Sequence, residues 1–193
     1  VCYTFGRELY KAWGQTVPVG LVAAAFGGRR IECFSSQDAL NACAVERTTI
    51  DPVTGEDPFL DCSVGGHPTK AELRFPSEGP HGAVYNGMIH PLLNMRLSGF
   101  LWYQGEGNSA YPNGYSCLLP AMIADWRAKW ELPDAIFMYV QLAGFEARGV
   151  GASGLKSFWY DWAFIRAAMD ASLALPNVGR VTAIDLGDPA SPY

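Results

Sequence analysis

Residues 99–108 read GFLWYQGEGN, and this stretch decides the fold. Its first part, Phe100–Tyr103, is a short, continuous apolar run, which is typical of a strand buried on both faces of a parallel sheet. Its second part, Gln104–Asn108, switches abruptly to glycines and to side chains that form several hydrogen bonds. Ligands of open parallel sheets bind beyond the carboxyl ends of the strands, so the switch predicts that the chain reaches the rim of a cleft here.

The rest of the chain alternates between strand and helix patterns. Further buried strands are predicted over Val17–Phe26, Ala135–Leu142 and Val181–Leu186. Apolar residues three and four apart predict helices over Phe5–Trp13, Tyr115–Trp130 and Phe158–Ala174. The inward face of the second helix carries Leu118, Leu119, Met122, Ile123 and Trp126. The inward face of the third carries Trp159, Trp162, Ile165, Ala168 and Met169. Strands separated by helices predict an α/β fold, a three-layer α/β/α sandwich around a doubly wound parallel sheet.

One long segment, 35–84, departs from this alternation, because it is dense in Pro, Gly, Asp and Thr and has little periodicity. We predict a long irregular insertion there, of the kind that shapes a site. The length of 193 residues and the hydrophobic content of 49% are enough for one domain with a substantial core. Residues 1–193 are therefore expected to form a single domain.

Charge and hydropathy narrow the range of partners. The net charge is -5 and there is no run of Lys or Arg, so a nucleic-acid or anionic-membrane surface has no electrostatic basis. No apolar stretch approaches the ~20 residues that a membrane-spanning helix needs, so membrane insertion is not expected. The remaining partners are small molecules that are neutral or sugar-like. Nothing in the sequence indicates an oligomeric state.

Five cysteines are scattered along the chain, at Cys2, Cys33, Cys43, Cys62 and Cys117. They lack C-x-x-C spacing, so no metal site is predicted. Cys43 and Cys62 flank the Pro- and Gly-rich segment and are the first pair to test for a disulfide in an oxidising compartment. Five reduced and mostly buried thiols are an equally good interpretation.

Two groups at predicted strand ends can stabilise a negatively charged oxygen. Gly27 and Gly28 follow the first predicted strand, where backbone N–H groups can approach a ligand closely, and the Asn108 amide is a side-chain donor of the same kind. Together they would form the oxyanion hole of an acyl-transfer site. The structural alternatives are that the glycines only form a turn and that Asn108 only closes an Asx-turn.

The Glu106 carboxylate lies so close to apolar residues that it needs a hydrogen-bonding partner to stay charged. It can orient the loop or act as an acid or base, and we favour the orienting role because no histidine has a clear catalytic setting. His90 precedes a proline in an apolar segment and is interpreted as structural. G-x-S-x-G, P-loop and dinucleotide-binding motifs are absent, so a nucleotide-binding domain is a distant alternative.

Four stretches in this order and at these spacings carry a family resemblance: VPVGLVAAAFGGRRIECFSS, YNGMIHPLLNMRLSGFLWYQGEGN, LLPAMIADWRAKW and AIDLGDPASPY. They resemble the sialate O-acetylesterase family of SGNH (GDSL-like) hydrolases. The resemblance covers nearly the whole chain, and its W-Y-Q-G-E-x-N block is specific. It implies a three-layer, flavodoxin-like α/β/α fold and removal of O-acetyl groups from sugars, notably sialic acids. No metal or organic cofactor is implied, and a secreted or lysosomal location is slightly favoured.

The resemblance also assigns residues. It places the family's oxyanion groups at Gly27-Gly28 and Asn108, and its cleft-organising residues at Gln104, Glu106 and Arg166. The departures are FGGRR in place of W-G-G-T, Cys33 in place of Trp, and Met169 in place of Gln.

The family's nucleophilic serine lies on a G-Q-S-N-like turn before the region where this chain begins, and its histidine lies in an H-P block after the region where it ends. None of Ser35, Ser36, Ser63 and Ser109 has the setting that a nucleophile needs. The expectation is therefore an internal piece of an esterase domain, incomplete at both ends and inactive alone. A non-catalytic carbohydrate-binding relative of the same fold is the alternative.

Overall fold

The computed structural model describes residues 1–43, 82–108, 112–144 and 162–186. Its helices are α1 (Cys2–Ala12), α2 (Ile31–Phe34), α3 (Gln37–Ala42), α4 (Pro112–Lys129) and α5 (Trp162–Met169), and its strands are β1 (Gly99–Trp102), β2 (Ile136–Val140) and β3 (Val178–Val181). Short π- and 3₁₀-helical turns occupy Tyr85–Ile89, His90–Leu92, Glu106–Asn108 and Asp170–Ala174.

The described strands form one parallel sheet in the order β1-β2-β3. Gly99 of β1 lies opposite Ile136 of β2, and Phe137 of β2 lies opposite Val178 of β3. Gly99 is required at its position, since a Cβ there would lie 2.7 Å from the Ile136 carbonyl oxygen. Parallel neighbours need a crossover, and α4 and α5 lie in the connections after β1 and β2. This arrangement confirms the predicted α/β fold and the predicted strands over Phe100–Tyr103 and Ala135–Leu142.

Helix α4 covers the aromatic face of the sheet. The Phe100 ring of β1 lies 5.5 Å from the Trp126 ring and 5.2 Å from the Trp130 ring, measured between centroids. The Trp102 ring lies 6.0 Å from the Trp126 ring. The predicted inward face of this helix is confirmed, because its members are buried: Leu118, Leu119, Met122, Ile123 and Trp126. This packing fixes the carboxyl end of β1, from which the polar loop leaves.

Helix α5 is shorter than the predicted helix, because the chain tightens into the 3₁₀ turn Asp170–Ala174 after Met169. Trp162, Ile165 and Met169 are buried as predicted, and Ala168 is half-buried. The predicted start of this helix, with Trp159, lies outside the described residues.

Two strand predictions are wrong. Residues 17–26 form no strand in the described part of the chain, and the apolar side chains of Val17, Leu21, Val22 and Phe26 are 43–48% exposed. An extended apolar run becomes a strand only where a neighbour completes its hydrogen-bond ladder, and the described sheet offers this run none. The third strand is also displaced, since β3 ends at Val181, where the prediction began.

The predicted Cys43–Cys62 disulfide is wrong as well. Cys43, at the end of α3, is bonded to Cys117 of α4, and Cys2 is a free thiol. The correct pair is set by the packing of α3 on α4, which brings together residues 74 positions apart in the sequence. Of the predicted irregular segment 35–84, residues 37–42 form α3, and residues 44–81 lie outside the described residues.

Among the described helices, none is both long enough and apolar enough to cross a membrane.

Candidate active site

The candidate site lies at the carboxyl end of β1, where the chain enters the loop 103–108. The loop has to pass close to the next layer, since a Cβ at Gly105 would lie 2.9 Å from Ile165 of α5 and 3.1 Å from Leu142. The chain then tightens into the 3₁₀ turn Glu106–Asn108, closed by a hydrogen bond from the Asn108 N–H to the Gly105 carbonyl. Glycine therefore allows the polar loop to be held against the core.

The turn containing Gly27 and Gly28 leads directly into a segment that contacts the 104–108 loop. Gly28 has a φ of 71°, a conformation that glycine adopts without strain. The next residue, Arg29, is buried, and its carbonyl accepts a hydrogen bond from the Gln104 amide at 3.0 Å. A Cβ at Gly107 would lie 3.2 Å from the same carbonyl oxygen. The structure thus brings the segment that follows the two glycines against the 104–108 loop, while Gly27 and Gly28 themselves are exposed.

Asn108 is almost completely buried, with 1% of its surface exposed. Its Oδ1 accepts hydrogen bonds from the Ile31 N–H and from Gln104 Nε2, both at 2.9 Å. Its Nδ2 donates to Glu32 Oε2, also at 2.9 Å. The side chain is therefore held in one orientation between the loop after β1 and the start of α2.

Sequence reasoning missed two residues of this site, Glu32 and Tyr115. Glu32 is 2% exposed in the short helix α2, and the only signal for it is an acidic residue inside the apolar run IECF. Tyr115 of α4 is fully buried, and it accepts a hydrogen bond from Trp102 Nε1 and donates to Gln104 Oε1. Burial raises the pKa of the Tyr115 hydroxyl, so this group keeps its proton.

Glu106 is half-buried at the start of the 3₁₀ turn. Burial raises the pKa of its carboxyl group, and hydrogen bonds from the backbone N–H groups of Glu106 and Gly105 partly offset that rise. Burial, followed by the nearby Glu106 charge, also raises the pKa of Tyr103. The carboxyl group therefore folds back on its own loop, which is compatible with the predicted orienting role.

Arg166 lies on α5 beside the loop that follows β2. Its Nη1 donates to the carbonyl oxygens of Leu142 and Ala143, at 3.4 and 3.2 Å. Burial lowers the pKa of its guanidinium group. In the described structure Arg166 therefore fastens the loop after β2 at the same edge of the sheet as the 104–108 loop.

Of the serines considered above, Ser35 and Ser36 have structural surroundings, and Ser63 and Ser109 lie outside the described residues. The Ser35 hydroxyl donates to the Ile31 carbonyl, and the Ser36 hydroxyl caps α3 by accepting from the Ala39 N–H. His90 is exposed, with its ring 6.2 Å from that of Tyr85, rather than enclosed in the core. Within the described ranges, no three His, Cys, Asp or Glu side chains are grouped so that they could hold a metal ion.

Comparisons with known proteins agree on one family. The family model "Carbohydrate esterase, sialic acid-specific acetylesterase" matches residues 58–191. The rat sialate O-acetylesterase is 34% identical over 100% of this chain, which covers 38% of the rat protein. The human sialate O-acetylesterase is 35% identical over 100% of the chain, covering 34% of the human protein.

A solved structure gives the same result. The crystal structure of a carbohydrate acetylesterase from Xanthomonas citri matches 99% of this chain with a TM-score of 0.68 and 30% sequence identity, over 35% of its own length. The chain thus spans between a third and two fifths of the length of these relatives. Because a family model and full-chain relatives coincide, the chain belongs to the sialic acid-specific acetylesterase family of carbohydrate esterases.

Proposed function

We propose that this chain forms the oxyanion-binding part of a serine-type esterase that removes O-acetyl groups from sialic acids or related sugars. The Gly27 or Gly28 backbone N–H and the Asn108 amide would donate to the oxygen that becomes negatively charged when the acetyl carbonyl is attacked. Gln104, Glu106 and Arg166 would organise the cleft. The family supports the reaction class, since its relatives are sialate O-acetylesterases.

The nucleophilic serine and its histidine base are proposed to come from sequence outside these 193 residues. Ser35 and Ser36 support this division, because both hydroxyls are buried and engaged with backbone groups. An active site that lacks its nucleophile and its base retains only substrate binding and oxyanion stabilisation. We therefore expect the isolated chain not to hydrolyse p-nitrophenyl acetate. Turnover that disappears when a serine of this chain is replaced would contradict the proposed division.

One observation carries the oxyanion assignment: the start of α2 and the loop after β1 meet through Asn108. The Ile31 N–H binds Asn108 Oδ1, so the side chain that follows one strand is held beside the segment that follows the two glycines. A primary amide has two N–H groups, and Glu32 accepts one of them. The proposal uses the second N–H as the oxyanion donor.

The test is Asn108→Ala in the longer esterase that contains this chain. Loss of one oxyanion donor lowers kcat on the order of 10²–10³, because the donor acts where charge develops and water is excluded. KM on an O-acetylated sialic acid should change little. Since Asn108 is also a buried structural link, kcat per folded molecule and thermal stability have to be measured on the same preparation.

Two results would count against the proposal. A destabilised Asn108→Ala variant with near-normal kcat would show that Asn108 only joins the two segments. A longer protein that binds O-acetylated sugars without hydrolysing them would favour the alternative function, a carbohydrate-binding relative of the same fold.

A further inference from the structure

The polar groups behind Asn108 form a chain of hydrogen bonds in which each of the two amide side chains has only one possible orientation. Trp102 Nε1 can only donate, and it donates to Tyr115 Oη at 2.9 Å. The single proton of the Tyr115 hydroxyl faces two acceptors of Gln104, its Oε1 at 3.0 Å and its main-chain carbonyl at 3.1 Å. On the opposite side Gln104 Nε2 donates to the Arg29 carbonyl at 3.0 Å, and because a carbonyl can only accept, the NH₂ group of Gln104 has to face that side.

The second half of the chain continues in the same direction. Gln104 Nε2 donates to Asn108 Oδ1 at 2.9 Å, which fixes the Asn108 oxygen on that side. Asn108 Oδ1 also accepts from the Ile31 N–H, which can only donate, so Asn108 Nδ2 has to face Glu32 Oε2 at 2.9 Å. Since the Arg29 carbonyl fixes the Gln104 amide and the Ile31 N–H fixes the Asn108 amide, neither amide can flip without losing a hydrogen bond to the backbone.

We infer that Glu32 is the positioning residue for the Asn108 amide. Its carboxylate accepts one Nδ2 proton and thereby directs the second toward the acyl oxygen. This inference rests on the proposed oxyanion role of Asn108. Glu32 is not proposed to touch the substrate; it acts on the rate through Asn108.

A double-mutant cycle in the longer esterase tests the inference. Glu32→Ala should lower kcat to the level of Asn108→Ala, a loss on the order of 10²–10³, with KM little changed. The double variant should be no slower than Asn108→Ala alone, because the amide that Glu32 positions is already absent. Glu32→Gln keeps an acceptor oxygen in place and should retain kcat to within about tenfold.

The matched control is Glu131→Gln, which removes an exposed carboxylate after α4 and should leave kcat unchanged. If Glu32→Ala fails to fold, Glu32→Gln replaces it in the cycle, and its effect on kcat should vanish in the Asn108→Ala background. Effects that multiply, so that the double variant is slower than either single one, would overturn the positioning role and leave the proposed function intact. An unchanged kcat in Asn108→Ala would overturn the proposed function, and this inference with it.

Discussion

At the scale of single residues, the Tyr115 hydroxyl connects the core to the site. It is fully buried between Trp102 Nε1 and Gln104 Oε1. Tyr115→Phe leaves that donor and that acceptor without their partner, and each such buried group costs about 1–3 kcal/mol of unfolding free energy. Urea denaturation should show the loss, while the control Tyr103→Phe, at an exposed position, should lie within about 0.5 kcal/mol of the wild type. Equal midpoints for both variants would contradict the buried connection.

Glu106 makes a pH-dependent contribution to stability. Its pKa is raised in the folded chain by burial, so the fold favours the protonated acid. The stabilisation is fully present below the pKa of the unfolded chain and is lost as the pH rises through the higher pKa of the folded chain. Glu106→Gln removes the ionisation, so its melting temperature relative to the wild type should increase from about pH 4 to about pH 8.

Thermal melts of wild type, Glu106→Gln and the exposed control Glu131→Gln over this range measure the effect. A Glu106→Gln curve that stays parallel to the wild-type curve would show that the carboxyl group is not buried in this way.

Some residues of the candidate site can be predicted from the sequence and others cannot, for a physical reason. Asn108 and Gln104 could be predicted because they directly follow a strand whose apolar pattern is local. Glu32 could not, because its partner Asn108 lies 76 positions away and only packing brings them together. Tyr115 could not be predicted for the same reason, since a tyrosine on the inward face of a helix is interpreted as a core residue until the partners of its hydroxyl group are known.

At the scale of elements, the Cys43–Cys117 disulfide joins α3 to α4. The two cysteines are 74 residues apart, and closing a loop of that length removes unfolded-chain entropy corresponding to about 4 kcal/mol of unfolding free energy. Replacing both by serine should lower the urea midpoint accordingly, whereas Cys2→Ser, which removes the free thiol, should not. A double variant as stable as the oxidised wild type would contradict this contribution.

The elements differ in how far the sequence determines them. Strands β1 and β2 and helix α4 were predictable because short apolar runs and helical spacing are local signals, and the structure confirms them. Residues 17–26 have the composition of a strand, yet a strand also depends on its neighbour, which composition does not contain. The prediction of the disulfide pair was wrong for the same reason, since proximity along the chain is a poor guide to proximity in space.

At the scale of the whole molecule, the candidate site is built where loops from several elements meet at one edge of the sheet. The loop after β1 contacts the start of α2, and Arg166 of α5 holds the loop after β2. Gly144 in that loop also lies close to the segment after β3, since a Cβ there would be 2.9 Å from the Ile184 carbonyl oxygen. Asn108, one of the proposed oxyanion donors, thus belongs to a framework that holds it before a substrate arrives, which is the arrangement that lowers a reaction barrier.

The most direct measurement of the central proposal is a crystal structure of the longer esterase with a phosphonate bound to its nucleophilic serine. The phosphonyl oxygen stands in for the oxygen that becomes negatively charged. We expect this oxygen to lie about 2.7–3.1 Å from Asn108 Nδ2 and from the backbone nitrogen of Gly27 or Gly28. A phosphonyl oxygen held by other donors, with Asn108 Nδ2 out of hydrogen-bonding reach, would contradict the account.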